Sequence, residues 1–341
     1  MESVQNKIVK AALLGAGTVG SGVYELVKER QEDFPHICGT QIEIAKILVR
    51  DASKEREGIP SELLTDNWEE IIGDDSISII IEVMGGIEPA KSYLLEAMKA
   101  GKQVVTANKD LIAEHGHELL DTAEQYGCDF KFEAAVAGCV PIIQILKQSM
   151  SSENITEIMG IVNGTTNYIL TRMTQSGLSY DEALKEATDL GYAEADPTAD
   201  VQGLDACRKI CILASLAFGN HLYPQLVHCQ GITEVSCEDV EYARSWGGVI
   251  KLIARAHRDP DTQRLSALVA PMFVPHDSQL STVDDVFNGI LVDGDATGQV
   301  LFYGKGAGKL PTASAVVADI IDCVKPVSYT HLRAHETLMN L

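Results

Sequence analysis

Basic residues and long apolar runs are both scarce in this sequence. Lys and Arg number 27 against 49 Asp and Glu, which gives a formal net charge of −22 at pH 7. Nucleic acids and anionic membranes both require a basic footprint, so this composition argues against either as a partner. No apolar run is long enough to span a bilayer, and residues 1–10 hold no apolar signal region.

Paired cysteine motifs are also missing. The chain has eight Cys, and none of them belongs to a C-x-x-C pair. Cys207 and Cys211 are four residues apart in an apolar segment, where we expect them to pack as small hydrophobic side chains. This cysteine usage predicts a reduced, cytoplasmic protein without a zinc-type metal site.

Short apolar runs and helical segments alternate over residues 1–141. The predicted strands cover 8–14, 42–49, 77–83, 104–106 and 129–134, and the predicted helices cover 22–30, 89–100 and 111–126. Alternation at this spacing predicts an α/β domain with a doubly wound parallel sheet.

The pattern changes after Pro141. Strands predicted at 155–162, 266–274, 289–292 and 298–303 are more widely spaced, with long helices between them and a final helix at 311–324. We therefore predict a second domain of α+β type over residues 142–303. Residues 326–341 fit neither pattern, and we interpret them as a non-native or disordered tail.

A glycine-rich loop follows the first predicted strand directly. Gly15, Gly17 and Gly20 form a G-x-G-x-x-G sequence between that strand and a helix, which is the context that a dinucleotide-binding loop requires. The glycines permit a tight turn, close approach of a pyrophosphate and close helix–strand packing. The loop therefore predicts a Rossmann-type domain that binds NAD or NADP.

The end of the second predicted strand carries a mixed signal for the choice of dinucleotide. An acidic residue there binds the ribose 2′-hydroxyl, whereas an Arg accommodates a 2′-phosphate. This chain has Arg50 followed by Asp51, with Lys54 and Arg56 nearby. The combination favours NADP without excluding NAD.

Residues 191–215 combine carboxylates with a lysine on an apolar helix. Asp205 and Lys209 are four residues apart, so they share one helix face, and the apolar surroundings predict that this face is buried. A buried Lys beside carboxylates is a candidate for proton transfer, but a structural ion pair explains the same pattern. Glu194 and Asp196 are either ligand-binding acids or loop acids that cap a helix beginning near Asp200.

Six ordered segments together resemble homoserine dehydrogenases, and the resemblance covers residues 7–325. These segments are GAGTVG at 15–20, VVTANK at 104–109, FEAAVAG at 132–138, NGTTNYIL at 163–170, GYAEADPTADVQGLDACRK at 191–209 and KGAGKLPTASAVVADI at 305–320. The resemblance implies an NAD(P)-dependent oxidoreductase that interconverts L-homoserine and L-aspartate 4-semialdehyde in threonine and methionine biosynthesis.

The resemblance also implies roles for individual residues. Lys209 resembles the proton donor and Asp205 its partner carboxylate, while Lys109 is expected near both cofactor and substrate. Glu194 resembles the acid that holds the substrate ammonium, with Asp200 as a second contact. The residues expected to bind the dinucleotide are Gly15, Gly17, Thr18, Val19, Gly20, Arg50, Lys109 and Gly306.

Four further expectations come from the same resemblance. A monovalent cation, sodium in type, is expected at Glu133, Val136, Gly138 and Val140, and the Gly306 contact implies that residues 304–325 return to the first domain. The family suggests a homodimer built through the sheet of the second domain. Because the family-like sequence stops near Lys325, we expect no threonine feedback through a C-terminal regulatory domain.

Two alternatives remain open at this point. Another NAD(P)-dependent amino-acid dehydrogenase shares the glycine loop but not the segment from Glu194 to Lys209. A dinucleotide-sensing regulator without catalysis is expected to lose Lys209 or Asp205, which this chain keeps, and to carry a basic DNA-binding patch.

Overall fold

The computed structural model describes residues 8–325, so the predicted tail at 326–341 lies outside the described part of the chain. The described residues form two compact units. Unit 1 comprises residues 8–108, 118–132 and 312–325, and unit 2 comprises residues 109–117 and 133–311.

Unit 1 is built on a parallel sheet of six strands in the order β3-β2-β1-β4-β5-β6. Most residues of its two central strands are apolar and buried, as expected where helices cover both faces of a parallel sheet. The strands are β1 Ile8–Leu14, β2 Gln41–Leu48, β3 Leu64–Thr65, β4 Ile77–Glu82, β5 Gln103–Thr106 and β6 Phe130–Lys131.

Unit 2 contains a second six-stranded sheet in the order β12-β11-β7-β9-β10-β8. Its pairings are antiparallel except between β8 and β10. Buried residues such as Ile161, Ile253 and Leu291 form an apolar cluster on these strands. The strands are β7 Ile155–Ile161, β8 His228–Cys229, β9 Gly248–Arg258, β10 Leu265–Pro275, β11 Phe287–Gly294 and β12 Gly298–Lys305.

The helices range from short turns to segments of 18 residues. Among residues 8–325, no helix has the length and apolar character needed to cross a bilayer. The helices are α1 Thr18–Glu29, α2 Phe34–Cys38, α3 Glu69–Ile72, α4 Ala90–Lys99, α5 Lys109–Tyr126, α6 Ile142–Gln144, α7 Gly164–Ser176, α8 Tyr180–Asp189, α9 Thr198–Val201, α10 Leu204–Phe218, α11 Cys237–Ser245 and α12 Lys309–Val324.

The predicted fold class is confirmed, two local predictions need correction, and one long strand had no prediction. The strand predicted at 129–134 is reduced to β6, because the chain turns into a short 3₁₀ segment at Glu133–Ala135. The helix predicted near Asp200 is two helices, α9 and α10, separated by Gly203 in the left-handed region at φ 79°. Strand β9, one of the two longest in the described chain, was not predicted.

Candidate active site

Asp205 lies at the centre of a buried cluster of charged and polar groups in unit 2. Its side chain is 7% exposed. Oδ2 accepts hydrogen bonds from Lys209 Nζ at 2.7 Å and from Asn163 Nδ2 at 2.9 Å. Oδ1 lies 3.1 Å from Lys109 Nζ. One carboxylate therefore joins two ammonium groups and an amide.

The local sequence explains why Asp205 and Lys209 meet. Gly203 ends one helix and allows α10 to begin at Leu204, which puts Asp205 in the first turn, where a negative charge is favourable. Lys209 follows one helical turn later, on the same face. Its Nζ also donates to the carbonyl oxygen of Val162 at 2.7 Å, directly after β7. The predicted buried pair is therefore present.

The charges in this cluster stabilise each other against the cost of burial. Burial alone raises the pKa of Asp205, but the ammonium groups of Lys209 and Lys109 and the hydrogen bonds to Lys209 and Asn163 hold that pKa below its ordinary value. Burial alone lowers the pKa of Lys109, but the Asp205 carboxylate raises it above its ordinary value. Both groups are therefore charged at neutral pH.

Asn163 connects the cluster to the start of α7. Its Oδ1 accepts the backbone N–H of Thr166 at 2.9 Å, so Asn163 is the N-cap of this helix. Its Nδ2 donates both to Asp205 and to Asp200 Oδ1, the latter at 2.7 Å. Burial raises the pKa of Asp200, and the bond from Asn163 partly opposes that rise. The bridge between the two carboxylates was not predicted from the sequence.

The two remaining acids of this segment differ in their surroundings. Asp196 Oδ1 accepts from the backbone N–H of Thr198 at 3.1 Å and from its Oγ1 at 2.6 Å. Asp196 therefore forms a local turn before α9, whose N-cap residue is Pro197. Glu194 is exposed, and its carboxylate has no hydrogen-bond or ion-pair partner among residues 8–325. The nearby carbonyl of Tyr192 accepts from Thr165 Oγ1 at 2.7 Å, which ties the loop to α7.

The glycine loop of unit 1 meets the steric demands of a bound dinucleotide. Gly15 has φ 103°, and a Cβ on Gly20 would lie 2.1 Å from the carbonyl oxygen of Gly15. A Cβ on Gly17, by contrast, would have nothing within 4 Å. No side chain caps the N-terminus of α1, which leaves its backbone N–H groups available to an anion. The residues present therefore fit a pyrophosphate.

The loop after β2 presents Arg50 to solvent. Arg50 is exposed and has no hydrogen-bond or ion-pair partner within the described residues. Asp51 is instead occupied locally, since its Oδ1 accepts from the backbone N–H of Ser53 at 3.0 Å and from its Oγ at 2.6 Å. Arg56 donates to the carbonyl oxygens of Asp51 and Lys54.

Glu133 is a helix cap in this structure. Its side chain is buried, and its two oxygens accept from the backbone N–H groups of Ile143 at 2.8 Å and Gln144 at 2.7 Å. The following turn contains Ala137 at φ 51° and Gly138 at φ 24°, and the carbonyl of Val140 accepts from Ile142. Val136 is fully buried in this turn. The cation site predicted here stays a prediction.

Gly306 packs directly against Asn288 in unit 2. A Cβ on Gly306 would lie 2.0 Å from Asn288 Nδ2, so only glycine fits. The Asn288 side chain is fully buried, and neither its Nδ2 nor its Oδ1 has a partner among the described residues.

Comparison with known proteins identifies the family. A family model described as "Homoserine dehydrogenase" matches residues 141–321, and one described as "Homoserine dehydrogenase, NAD binding domain" matches residues 15–133. The homoserine dehydrogenase of Bacillus subtilis is 46% identical over 320 residues, which cover 94% of this chain and 73% of that protein.

Solved structures agree with this assignment. The crystal structure of a homoserine dehydrogenase from Thiobacillus denitrificans is 41% identical, with a TM-score of 0.88 over 94% of this chain and 74% of that one. A hyperthermophilic archaeal homoserine dehydrogenase in complex with NADPH is 29% identical, with a TM-score of 0.78 over 93% of this chain and 97% of that one. The chain therefore belongs to the homoserine dehydrogenase family of NAD(P)-dependent oxidoreductases.

Proposed function

We propose that Lys209 is the proton donor when aspartate 4-semialdehyde is reduced to homoserine. An ammonium group carries three N–H donors. Those of Lys209 contact Asp205 and the carbonyl of Val162, which leaves one for a substrate oxygen. When bound, the reduced nicotinamide supplies the hydride to the aldehyde carbon. As negative charge develops on the carbonyl oxygen, Lys209 stabilises it and transfers its proton.

Asp205 has an orienting role in this proposal. Its carboxylate contacts both Lys209 and Lys109, so it holds the two ammonium groups in position. Lys109 is more exposed than Lys209, with 38% of its side chain accessible against 11%. We therefore assign Lys109 to the carboxylate of the substrate and to the cofactor, and Lys209 to the reacting oxygen.

Glu194 and Asp200 provide the negative charge that the substrate ammonium requires. The exposed Glu194 carboxylate is uncommitted within residues 8–325. Asp200 is partly buried and is held by Asn163 at 2.7 Å. The Asp200 carboxylate interacts electrostatically with both Lys109 and Lys209, so opposite charges lie together here, as an amino acid with one ammonium and one carboxylate requires. This complementarity is the observation that carries the proposal.

We also propose which dinucleotide the protein prefers, which cation it binds and how it assembles. The exposed guanidinium of Arg50 favours NADP, and the archaeal relative was solved with NADPH. A sodium-type cation at Glu133, Val136, Gly138 and Val140, a homodimer and a cytoplasmic location are proposed from the family resemblance and the sequence.

Homoserine oxidation measured with NADP and with NAD tests the proposal directly. Lys209→Ala is expected to lower kcat by at least about 100-fold with little change in dinucleotide affinity, because Lys209 acts in the transition state. Lys185→Ala, which removes an exposed lysine of α8, is the matched control and is expected to retain wild-type kcat.

Two further variants test the other assignments. Glu194→Gln is expected to raise KM for homoserine with a smaller effect on kcat, and Arg50→Ala is expected to raise KM for NADP more than for NAD. Unchanged kcat in Lys209→Ala contradicts the proton-donor role. Oxidation of a different amino acid in place of homoserine contradicts the proposed substrate.

A further inference from the structure

Glu82 is a fully buried carboxylate that none of the roles above uses. It is the last residue of β4 in unit 1 and has no exposed surface. Oε1 accepts from the backbone N–H groups of Met84 at 2.7 Å and Gly85 at 3.2 Å. Oε2 accepts from Thr106 Oγ1, at the end of β5, at 2.6 Å. A buried charge is expensive unless it is compensated in this way.

The contacts of Glu82 continue into a closed ring of hydrogen bonds. Thr106 Oγ1 accepts from the backbone N–H of Asn108 at 3.0 Å. Asn108 Nδ2 donates to the carbonyl oxygen of Gly86 at 2.6 Å. The ring joins the carboxyl ends of β4 and β5 to the loop of residues 84–86, and Glu82 is its only acidic member.

The loop held by this ring also lies directly against the glycine loop. A Cβ on Gly15 would lie 3.1 Å from the carbonyl oxygen of Val83 and 3.2 Å from Met84 Cα. The position of the Val83–Met84 backbone therefore fixes where Gly15 can sit. Glu82 accepts a hydrogen bond from the N–H of Met84. A change at Glu82 that moves Met84 would therefore also change the contact between Met84 and the glycine loop.

The outer surface of this loop is bare backbone. Gly85 and Gly86 are exposed at φ 75° and 76°, and a Cβ on either would meet nothing within 4 Å. Gly17 is equally open on the neighbouring loop. In open parallel sheets, ligands bind beyond the carboxyl ends of the strands where the strand order reverses. In this sheet that point lies between β1 and β4.

We propose that Glu82 is a positioning residue for the dinucleotide. Its carboxylate holds the loop of residues 84–86 against the glycine loop, so that the crevice beyond β1 and β4 keeps the shape that a dinucleotide needs. The proposal rests on the NAD(P) dependence of the family. It concerns binding of the cofactor, and Glu82 itself takes no part in hydride or proton transfer.

Titration of NADPH fluorescence without substrate tests this proposal, with thermal unfolding measured on the same samples. Glu82→Gln keeps the shape of the side chain but removes its charge and places an amide N–H₂ beside Thr106. We expect the Kd for NADPH to rise by about tenfold, as for loss of a charge-assisted hydrogen bond. Thr106→Val is expected to raise Kd by about threefold, while Thr106→Ser stays within about twofold of wild type.

Lys102→Met is the matched control. Lys102 is also buried, but it directly precedes β5, at the opposite ends of the same two strands, where its Nζ donates to the carbonyls of Asp74 and Ile77. We expect this variant to lower the unfolding temperature while Kd stays within about twofold of wild type, because its contacts are remote from the crevice.

Several outcomes overturn the proposal. One is a Kd for Glu82→Gln within about twofold of wild type. Another is a rise in Kd for Lys102→Met as large as that for Glu82→Gln. If Glu82→Gln does not fold, an equal Kd for Thr106→Val and Thr106→Ser overturns it instead. Failure of the wild-type protein to bind NADPH would remove the cofactor assignment together with the proposal, and the wild-type titration separates that case from the others.

Discussion

At the scale of single residues, the site depends on one carboxylate that serves several partners. Asp205 receives hydrogen bonds from Lys209 and Asn163 and pairs with Lys109, all within 3.1 Å. Removing one partner of such a buried group leaves the others uncompensated. Variants at Asp205 and Asn163 are therefore expected to affect both stability and catalysis.

The pH dependence of stability tests the charge state of Asp205. Because its pKa in the folded protein lies below the unfolded value of about 3.9, its ionisation stabilises the fold above that pH. This contribution is lost as pH falls toward the folded pKa. We expect the difference in unfolding free energy between wild type and Asp205→Asn to be largest near pH 7 and to narrow below about pH 4. Urea unfolding at several pH values measures it, and a constant difference would contradict the expected shift.

Asn163 allows the capping role to be separated from the bridging role. Asn163→Ser keeps an N-cap oxygen but loses the hydrogen bonds from the amide to Asp200 and Asp205. Asn163→Ala loses these two bonds and also the N-cap bond from Thr166. We expect Asn163→Ala to be less stable than Asn163→Ser by about 1 kcal/mol, the usual value of a cap. Both variants are expected to lower kcat for homoserine oxidation. Wild-type kcat in Asn163→Ser would show that the bridge has no catalytic role.

At the scale of elements, two residues of the glycine loop allow an effect on folding to be measured separately from an effect on dinucleotide binding. A Cβ at Gly20 would lie 2.1 Å from the Gly15 carbonyl, whereas one at Gly17 would meet nothing. We expect Gly20→Ala to destabilise the fold by about 2 kcal/mol or more, because α1 must move away from the loop. Gly17→Ala is expected to fold normally but to bind NADPH at least about tenfold more weakly.

Urea unfolding and NADPH titration of these two variants provide the measurement, and each variant is the control for the other. Equal stability of the two variants would contradict the steric argument. Wild-type affinity in Gly17→Ala would mean that the dinucleotide does not approach the backbone at this residue.

Elements with a local sequence signal could be predicted, and those that depend on distant partners could not. β1 was predicted at Ile8–Leu14, as found, because a continuous apolar run precedes a glycine loop. β9 was missed because Lys251 interrupts its apolar pattern. In the structure Lys251 is buried, and its Nζ donates to Asn167, Val283 and Asp284, which lie 84, 32 and 33 residues away.

The same reasoning applies to the site. The Asp205–Lys209 pair is local, since one helical turn separates its members, and helical periodicity was enough to predict it. The bond from Asn163 to Asp205 spans 42 residues, and that from Thr106 to Glu82 spans 24. A single sequence contains no signal for such pairs.

At the scale of the whole molecule, the formal net charge of −22 affects stability independently of any one residue. A large net charge destabilises a compact state through self-repulsion, and salt screens that repulsion. Any monovalent salt is therefore expected to raise the unfolding temperature. A bound cation adds a different effect, because it stabilises the folded state by an amount that grows with the ratio of its concentration to its Kd.

Comparing sodium chloride with choline chloride at equal ionic strength separates these two effects. We expect both salts to raise the unfolding temperature through screening, and sodium to raise it further if it binds near Glu133. At tenfold excess over Kd, the additional stabilisation is about 1.4 kcal/mol. Glu133→Gln is expected to remove the sodium increment while the choline effect persists, because screening does not depend on one side chain. Equal effects of the two salts on the wild-type protein would contradict a sodium site and would assign the whole response to net charge.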